Sequence, residues 1–186
     1  MANLVRAVLD ANVLIRAGAR DTLLRAAEHD LYRPYWSETI LQEVERNLVR
    51  HHLTTRTQAQ RLLNVLREVF PEALAVGYEW LIIDMPIQAK DRHVLAAAVS
   101  AGADVIVTDN LRDFPASSLE PYGVEAQSLD AFLMELFAQN PEQMMQILTE
   151  QGADLNPPRD RSEVIRSLTP HTPGFVADVI ARPLES

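Results

Sequence analysis

A parallel α/β sheet flanked by helices, continued by a C-terminal helical extension, is the fold that this chain predicts. Three observations point to it. Leu4 to Leu9 is a nearly continuous apolar run, as suits a strand buried on both faces. Short apolar runs of this kind then alternate with segments of helical spacing, the pattern of parallel βαβ units. Beyond Phe137 the character shifts, with six of the eleven prolines lying between Pro141 and Pro183. At 186 residues and 47% apolar content the chain can bury one proper core. We therefore expect one main domain over residues 1–138 and a helical extension over 139–186.

The elements follow in order. After the Leu4–Leu9 strand, Ala11 to Ala17 and Asp21 to His29 read as helix, with Gly18 between them. Leu31 to Trp36 is short and aromatic enough for a second strand, and Pro34 marks an edge or a strand end. Ser37 is an N-cap for a helix to about His52, since Ile40, Leu41, Val44 and Leu48 share one face. Thr55 or Thr57 opens another helix that carries Leu62, Leu63, Leu66 and Phe70 and stops at Pro71. An alanine-rich helix runs from about Asp91 to Ala101 and ends at Gly102, ahead of a strand over Asp104–Thr108. A weaker strand covers Val124–Gln127. In the extension, Asn140-Pro141-Glu142-Gln143 reads as an N-cap, a first-turn proline and a capping-box partner for a helix to about Gln151. Val164, Ile165, Leu168, Phe175, Val176, Val179 and Ile180 require burial there.

Composition excludes several classes. The absence of cysteine removes disulfides, thiolate metal sites and a cysteine nucleophile, leaving His, Asp and Glu as metal ligands. No run of eighteen apolar residues and no secretory leader is visible, so a cytoplasmic protein is expected. A Gly-rich phosphate loop, a Gly-x-Ser-x-Gly elbow and a His-Glu-x-x-His motif are all missing. The net charge of −9 hides an asymmetry: Arg46 to Arg67 holds five arginines and no acid, whereas residues 113–158 hold eight acids and no base. Such a molecule can meet an anion on one face, although both runs could equally be solvated helix faces.

Asp10, Glu43, Asp91, Asp109 and Asp113 stand where short apolar runs stop. In an open α/β sheet, strand ends and helix starts gather at one rim, where ligands bind. Taken alone, Asp10 and Asp91 could be helix caps, Glu43 could pair with Arg46 or Asn47 along its helix, and Asp109 and Asp113 could serve a turn. Together, without a cation, they would repel by roughly 4 kcal/mol per pair at 4 Å and an effective dielectric of 20. Mg²⁺ and Mn²⁺ favour oxygen ligands, and such an ion can activate water for in-line attack on a phosphodiester. Asn12, Thr108 and Asn110 are polar neighbours able to orient carboxylates or water. The histidines are less informative, with His51-His52 suiting a helix end.

With these residues in hand, the chain resembles the PIN-domain ribonucleases, specifically the VapC-like toxins of bacterial toxin–antitoxin pairs. The matching segments are Val-Leu-Asp-Ala-Asn-Val-Leu-Ile (8–15), Leu-Gln-Glu-Val (41–44), Lys-Asp-Arg-His-Val-Leu-Ala-Ala-Ala (90–98) and Val-Thr-Asp-Asn-Leu-Arg-Asp-Phe (107–114). The resemblance implies a PIN-like, Rossmann-like sheet and an acidic quartet of Asp10, Glu43, Asp91 and Asp113 that binds Mg²⁺ or Mn²⁺. Asp109 stands where many relatives carry no acid, so a fifth ligand and a bystander are its two readings. Gln88-Ala89 replaces an Asp-Pro often seen before this Lys-Asp-Arg-His stretch. The resemblance further implies an RNA substrate, often structured RNA such as tRNA, a cognate antitoxin protein and a homodimer. On that reading Arg46, Arg50, Arg56 and Arg61 are the candidates for binding the RNA backbone. Two rivals stay open: a phosphohydrolase that uses Asp10 as an aspartyl nucleophile, weakened by Asn12 in place of a second Asp, and a non-catalytic binding module that keeps the fold.

Overall fold

The computed structural model of the chain describes residues 4–182; the last four residues of the expected extension lie outside them. The described residues divide into two units, one made of residues 4–15 and 32–127 and the other of residues 16–31 and 128–182.

The first unit is built on a four-stranded, wholly parallel sheet. Its strands are β1 (Arg6–Leu9), β2 (Arg33–Tyr35), β3 (Val105–Val107) and β4 (Glu125–Gln127), in the order β2-β1-β3-β4. Central β1 and β3 are the apolar runs, with Ala7, Val8, Leu9, Ile106 and Val107 wholly inaccessible. The short helix α1 (Ala11–Leu14) follows β1 directly. Helix α3 (Glu38–Arg50) starts from Ser37, whose Oγ accepts from the Ile40 N–H at 3.1 Å. It packs on α4 (Arg56–Val69), where Thr55 and Gln58 form a reciprocal capping box. Trp36, fully buried, meets Phe70 edge-on at 5.7 Å.

Helix α5 (Arg92–Ala101) packs on β1 and β3. Its alanines permit that close approach, and Val94 to Ala98 are all buried. Gly102 ends it in the left-handed region at φ 59°, a conformation that disfavours a side chain. A 3₁₀ turn at Leu111–Asp113 and the short helix α6 (Ala116–Leu119) connect β3 to β4.

The second unit is helical: α2 (Ala17–Glu28), α7 (Leu129–Gln139), α8 (Pro141–Ala153), α9 (Arg161–Leu168) and α10 (Pro173–Ala181). Helix α2 packs on α8 and α9, although more than a hundred residues separate them. The buried Thr22 hydroxyl donates to Gln151 Oε1 at 2.7 Å, and Gln151 Nε2 donates to the Gly18 carbonyl at 3.0 Å. Asp130 accepts from the backbone N–H groups of Gly174 and Phe175 at 2.9 and 2.7 Å and so covers the start of α10. Phe137 and Phe175 meet edge-on at 6.0 Å.

Four local expectations need correction. The break expected at Gly18 falls at Ile15–Arg16, where Arg16 is extended; Gly18 sits in the first turn of α2, where the N–H groups need no helical partner. Asn140 makes no side-chain cap, and the capping box does not close: its own N–H donates to the Leu136 carbonyl at 2.9 Å, while Gln143 directs its amide to His29 Nδ1 and the His29 carbonyl, both at 3.3 Å. Helix α7 is an addition to the expected elements, and Leu129, Phe132, Leu133, Leu136 and Phe137 line its buried face. Ile180 is 71% exposed, whereas the other six apolar residues expected to be buried in the extension are. Among the described residues no helix is long and apolar enough to cross a membrane.

Candidate active site

Strand register explains the centre of the site. Leu9 on β1 pairs with Val107 on β3, so the residues that follow, Asp10 and Thr108, emerge side by side at the carboxyl ends of adjacent central strands. The chain leaves β1 for β2 on one side and β3 lies on the other, which makes this the switch point where open α/β sheets bind ligands.

Asp10 is buried, with 7% of its surface accessible. Its Oδ1 accepts from the Ala11 N–H at 2.7 Å, and its Oδ2 accepts from Asn12 Nδ2 at 2.6 Å and from the Thr108 hydroxyl at 2.7 Å. Asn12 Nδ2 also donates to Thr108 Oγ1 at 2.8 Å, while Asn12 Oδ1 accepts from the Asp109 N–H at 3.1 Å. The Asn110 N–H donates to Thr108 Oγ1 at 3.1 Å. Thus Asn12 and Thr108 act on Asp10 through their side chains, whereas Asn110 and Asp109 enter this network through the backbone. Burial raises the Asp10 carboxyl above the usual range, the Thr108 and Ala11 donors oppose that, and the charges of Glu43 and Asp91 add to it.

Glu43 projects from the second turn of α3, and its Oε1 lies 3.4 Å from His93 Nε2 on α5. His93 is buried, and its Nδ1 has no hydrogen-bond partner. Asp91 stands at the N-cap of α5 without capping it through its side chain. Its Oδ2 is buried and makes no hydrogen bond. Lys90 Nζ lies 3.5 Å from that oxygen, an ion pair only, and 2.6 Å from Asp113 Oδ2. Burial raises the Asp91 carboxyl, Lys90 lowers it and Asp113 raises it. Electrostatic coupling therefore links Asp10 to Glu43 and Asp91, and Asp91 to Asp113.

Among the described residues no three Asp, Glu or His side chains stand close enough to form a ready-made metal site. The residues nevertheless fit a hard divalent cation. The donors are oxygens, one buried carboxylate oxygen lacks a hydrogen-bond partner, and a lysine ammonium already lies on the Asp91–Asp113 edge. Mg²⁺ in particular keeps several waters and takes one or two carboxylates together with substrate phosphate oxygens, so a closed protein cage is not required.

The arginines lie along the α3–α4 pair. Arg46, Arg50, Arg56 and Arg61 are all exposed. A groove of about 410 Å³ is lined by Gln42, Glu45, Arg46, Val49, Arg50 and Arg56. Glu45 lies 3.7 Å from Arg56 Nε and so tempers the groove's positive charge. Sequence reasoning missed two features, the Lys90 bridge and the Glu43–His93 contact. Lys90 and His93 flank Asp91 in the quoted motif, but the partners they reach lie 23 and 50 residues away.

Thr108→Val is expected to remove the hydroxyl that donates to Asp10 and to lower activity by about 10- to 100-fold, the usual range for a residue that orients a ligand. Stability should fall by about 1–3 kcal/mol, because the Asn12 and Asn110 donors lose their shared acceptor. Steady-state assays with paired thermal melts check both, and unchanged activity would detach Thr108 from the site.

Comparison with known proteins adds two family matches. The family model described as the PIN domain matches residues 6–112, and that described as the VapC50 C-terminal domain matches residues 129–179. A curated relative from Mycobacterium tuberculosis (strain ATCC 25618 / H37Rv), named "Putative ribonuclease VapC50", is 39% identical over 106 residues. The matched stretch covers 56% of this chain and 63% of that protein, so somewhat less than two thirds of the relative's length is spanned. No solved structure matches the chain significantly.

Proposed function

Since the chain belongs to the PIN-domain family, matched over residues 6–112, we propose that it is a divalent-metal-dependent endoribonuclease that acts as the toxin of a toxin–antitoxin pair. The observation that carries this reading is Asp10, buried at the sheet's switch point, held by three donors and coupled in charge to Glu43 and Asp91. The name of the mycobacterial relative supports ribonuclease as the activity.

On this reading Asp10, Glu43, Asp91 and Asp113 hold Mg²⁺ or Mn²⁺, and Asp109 is a further candidate. When bound, such an ion supplies charge to a phosphodiester in displacement and acidifies water. The chain's own residues do the rest. Thr108 and Asn12 orient the Asp10 carboxylate, and the Thr108 donor opposes the upward shift that burial imposes on it. Arg46 and Arg50 follow Glu43 at three and seven residues on the same face of α3, about 4.5 and 10.5 Å along the axis. They extend the site into a backbone-binding track, to which Arg56 and Arg61 on α4 add charge. The three hydrogen bonds on Asp10 speak against its use as an aspartyl nucleophile.

A cognate antitoxin protein, homodimerisation and a structured RNA substrate such as tRNA belong to the same proposal. The test is incubation of antitoxin-free protein with total RNA and with tRNA, in Mg²⁺, in Mn²⁺ and in EDTA. Discrete fragments that require the metal support the reading, and intact RNA in every condition overturns it. For the arginine track, Arg50→Ala should reduce the slope of log affinity against log salt by roughly 0.7 for each phosphate of a single-stranded RNA that the side chain neutralises. An unchanged slope places the RNA track elsewhere.

A further inference from the structure

Lys90 has a position that the proposed chemistry does not use. Its side chain is 60% exposed, whereas those of Asp91 and Asp113 are only 15% and 19% exposed. A flexible stem therefore carries a charged head from solvent onto two largely buried carboxylates. The fit is one-sided: Nζ hydrogen-bonds Asp113 Oδ2 at 2.6 Å but stands 3.5 Å from Asp91 Oδ2, an oxygen left without a hydrogen bond. The neighbouring Arg92 directs its guanidinium instead to the carbonyls of Ile87 and Ile83, at 3.0 and 3.5 Å. Lys90 thus has the place of a counterion, and Arg92 that of a structural brace.

We infer that Lys90 is a tethered cation of this site: its ammonium neutralises Asp91 and Asp113 until a divalent ion displaces it, and its presence limits how tightly that ion binds. The inference rests on the divalent-metal reading above. Nζ lies on Oδ2 of both carboxylates, so an ion that takes those two oxygens is repelled by the ammonium and competes with it for them. The ammonium comes in on an exposed stem, so it can return to water when an ion takes its place. Lys90 is on this account a positioning residue that acts through the two carboxylates.

The experiment is a calorimetric Mn²⁺ titration at low salt of the full chain and of its Lys90→Gln, Lys90→Met, Lys90→Arg and Asp91→Asn variants, with thermal melts of the metal-free proteins. Lys90→Gln and Lys90→Met should bind Mn²⁺ about three- to tenfold tighter, since a competing charge is gone. Lys90→Arg should stay within about twofold of the wild type, because a guanidinium still competes. The metal-free neutral variants should melt lower than the wild type, and Mn²⁺ should restore them. Equal or weaker Mn²⁺ affinity in the neutral variants overturns the inference. If Asp91→Asn still weakens Mn²⁺ binding in that case, the metal reading survives alone. Failure of the wild type to bind Mn²⁺ overturns both. Two neutral variants guard against one misfolding.

Discussion

Asp91→Asn is expected to slow RNA cleavage by more than about a hundredfold while leaving the metal-free protein as stable as the wild type, or more so. Residues that merely orient a metal ligand are worth about 10- to 100-fold, so loss of a proposed ligand should reach at least the upper end of that range. The stability expectation comes from the surroundings of Asp91. Its side chain does not cap α5, its Oδ2 has no hydrogen-bond partner to lose, and burial disfavours its charge. The neutral amide removes that penalty. Asp10→Asn is the poorer test, because its new amide would point a donor at either Asn12 Nδ2 and the Thr108 hydroxyl or the Ala11 N–H. Opposed donors of that kind cost about 1–3 kcal/mol. Single-turnover cleavage at saturating Mn²⁺, with melting curves on the same preparations, decides the matter. An Asp91→Asn rate within tenfold of the wild type would remove Asp91 from the proposed ligand set.

Gly152→Ala should destabilise the helical unit by about 2–3 kcal/mol, at the upper end of what overpacking costs. In an ordinary helix the same change is favourable by about 0.5–1 kcal/mol, so the expected sign is itself diagnostic. A Cβ built at Gly152 in α8 would collide with the Arg159 carbonyl oxygen and lie 3.1 Å from Val164 Cγ2. The first obstacle is backbone, and it is held in place: the Arg159 N–H donates to the Gly152 carbonyl at 2.9 Å, and the Leu155 N–H does so at 3.2 Å. Relief therefore requires the turn between α8 and α9 to move. Urea unfolding of the full chain gives the measurement, and a variant as stable as the wild type would mean that this turn is not packed as described.

Much of the fold was legible one element at a time. The apolar runs at β1 and β3, the caps at Ser37 and Thr55, and the left-handed stop at Gly102 depend on a few neighbouring residues, and the structure has each of them. The motifs around Asp10, Glu43, Asp91 and Asp113 were likewise readable in order along the chain, and with them the family. Local signals misled where a distant partner competed, as when Gln143 reached His29 instead of closing a capping box.

The arrangement of the site was decided at longer range. Asp10 meets Thr108 because β1 pairs with β3 in the register Leu9–Val107, a choice made across almost a hundred residues. Lys90 reaches Asp113 only because the start of α5 and the turn after β3 face the same rim. Helix α2 joins α8 and α9 although three of the first unit's four strands lie between them in sequence. Periodicity and capping register the free energy of a residue against its immediate neighbours. Pairing and packing register it against surfaces that exist only once the chain has folded, and the contacts of Asp10 with Thr108, Glu43 with His93 and Asp113 with Lys90 belong to that second kind.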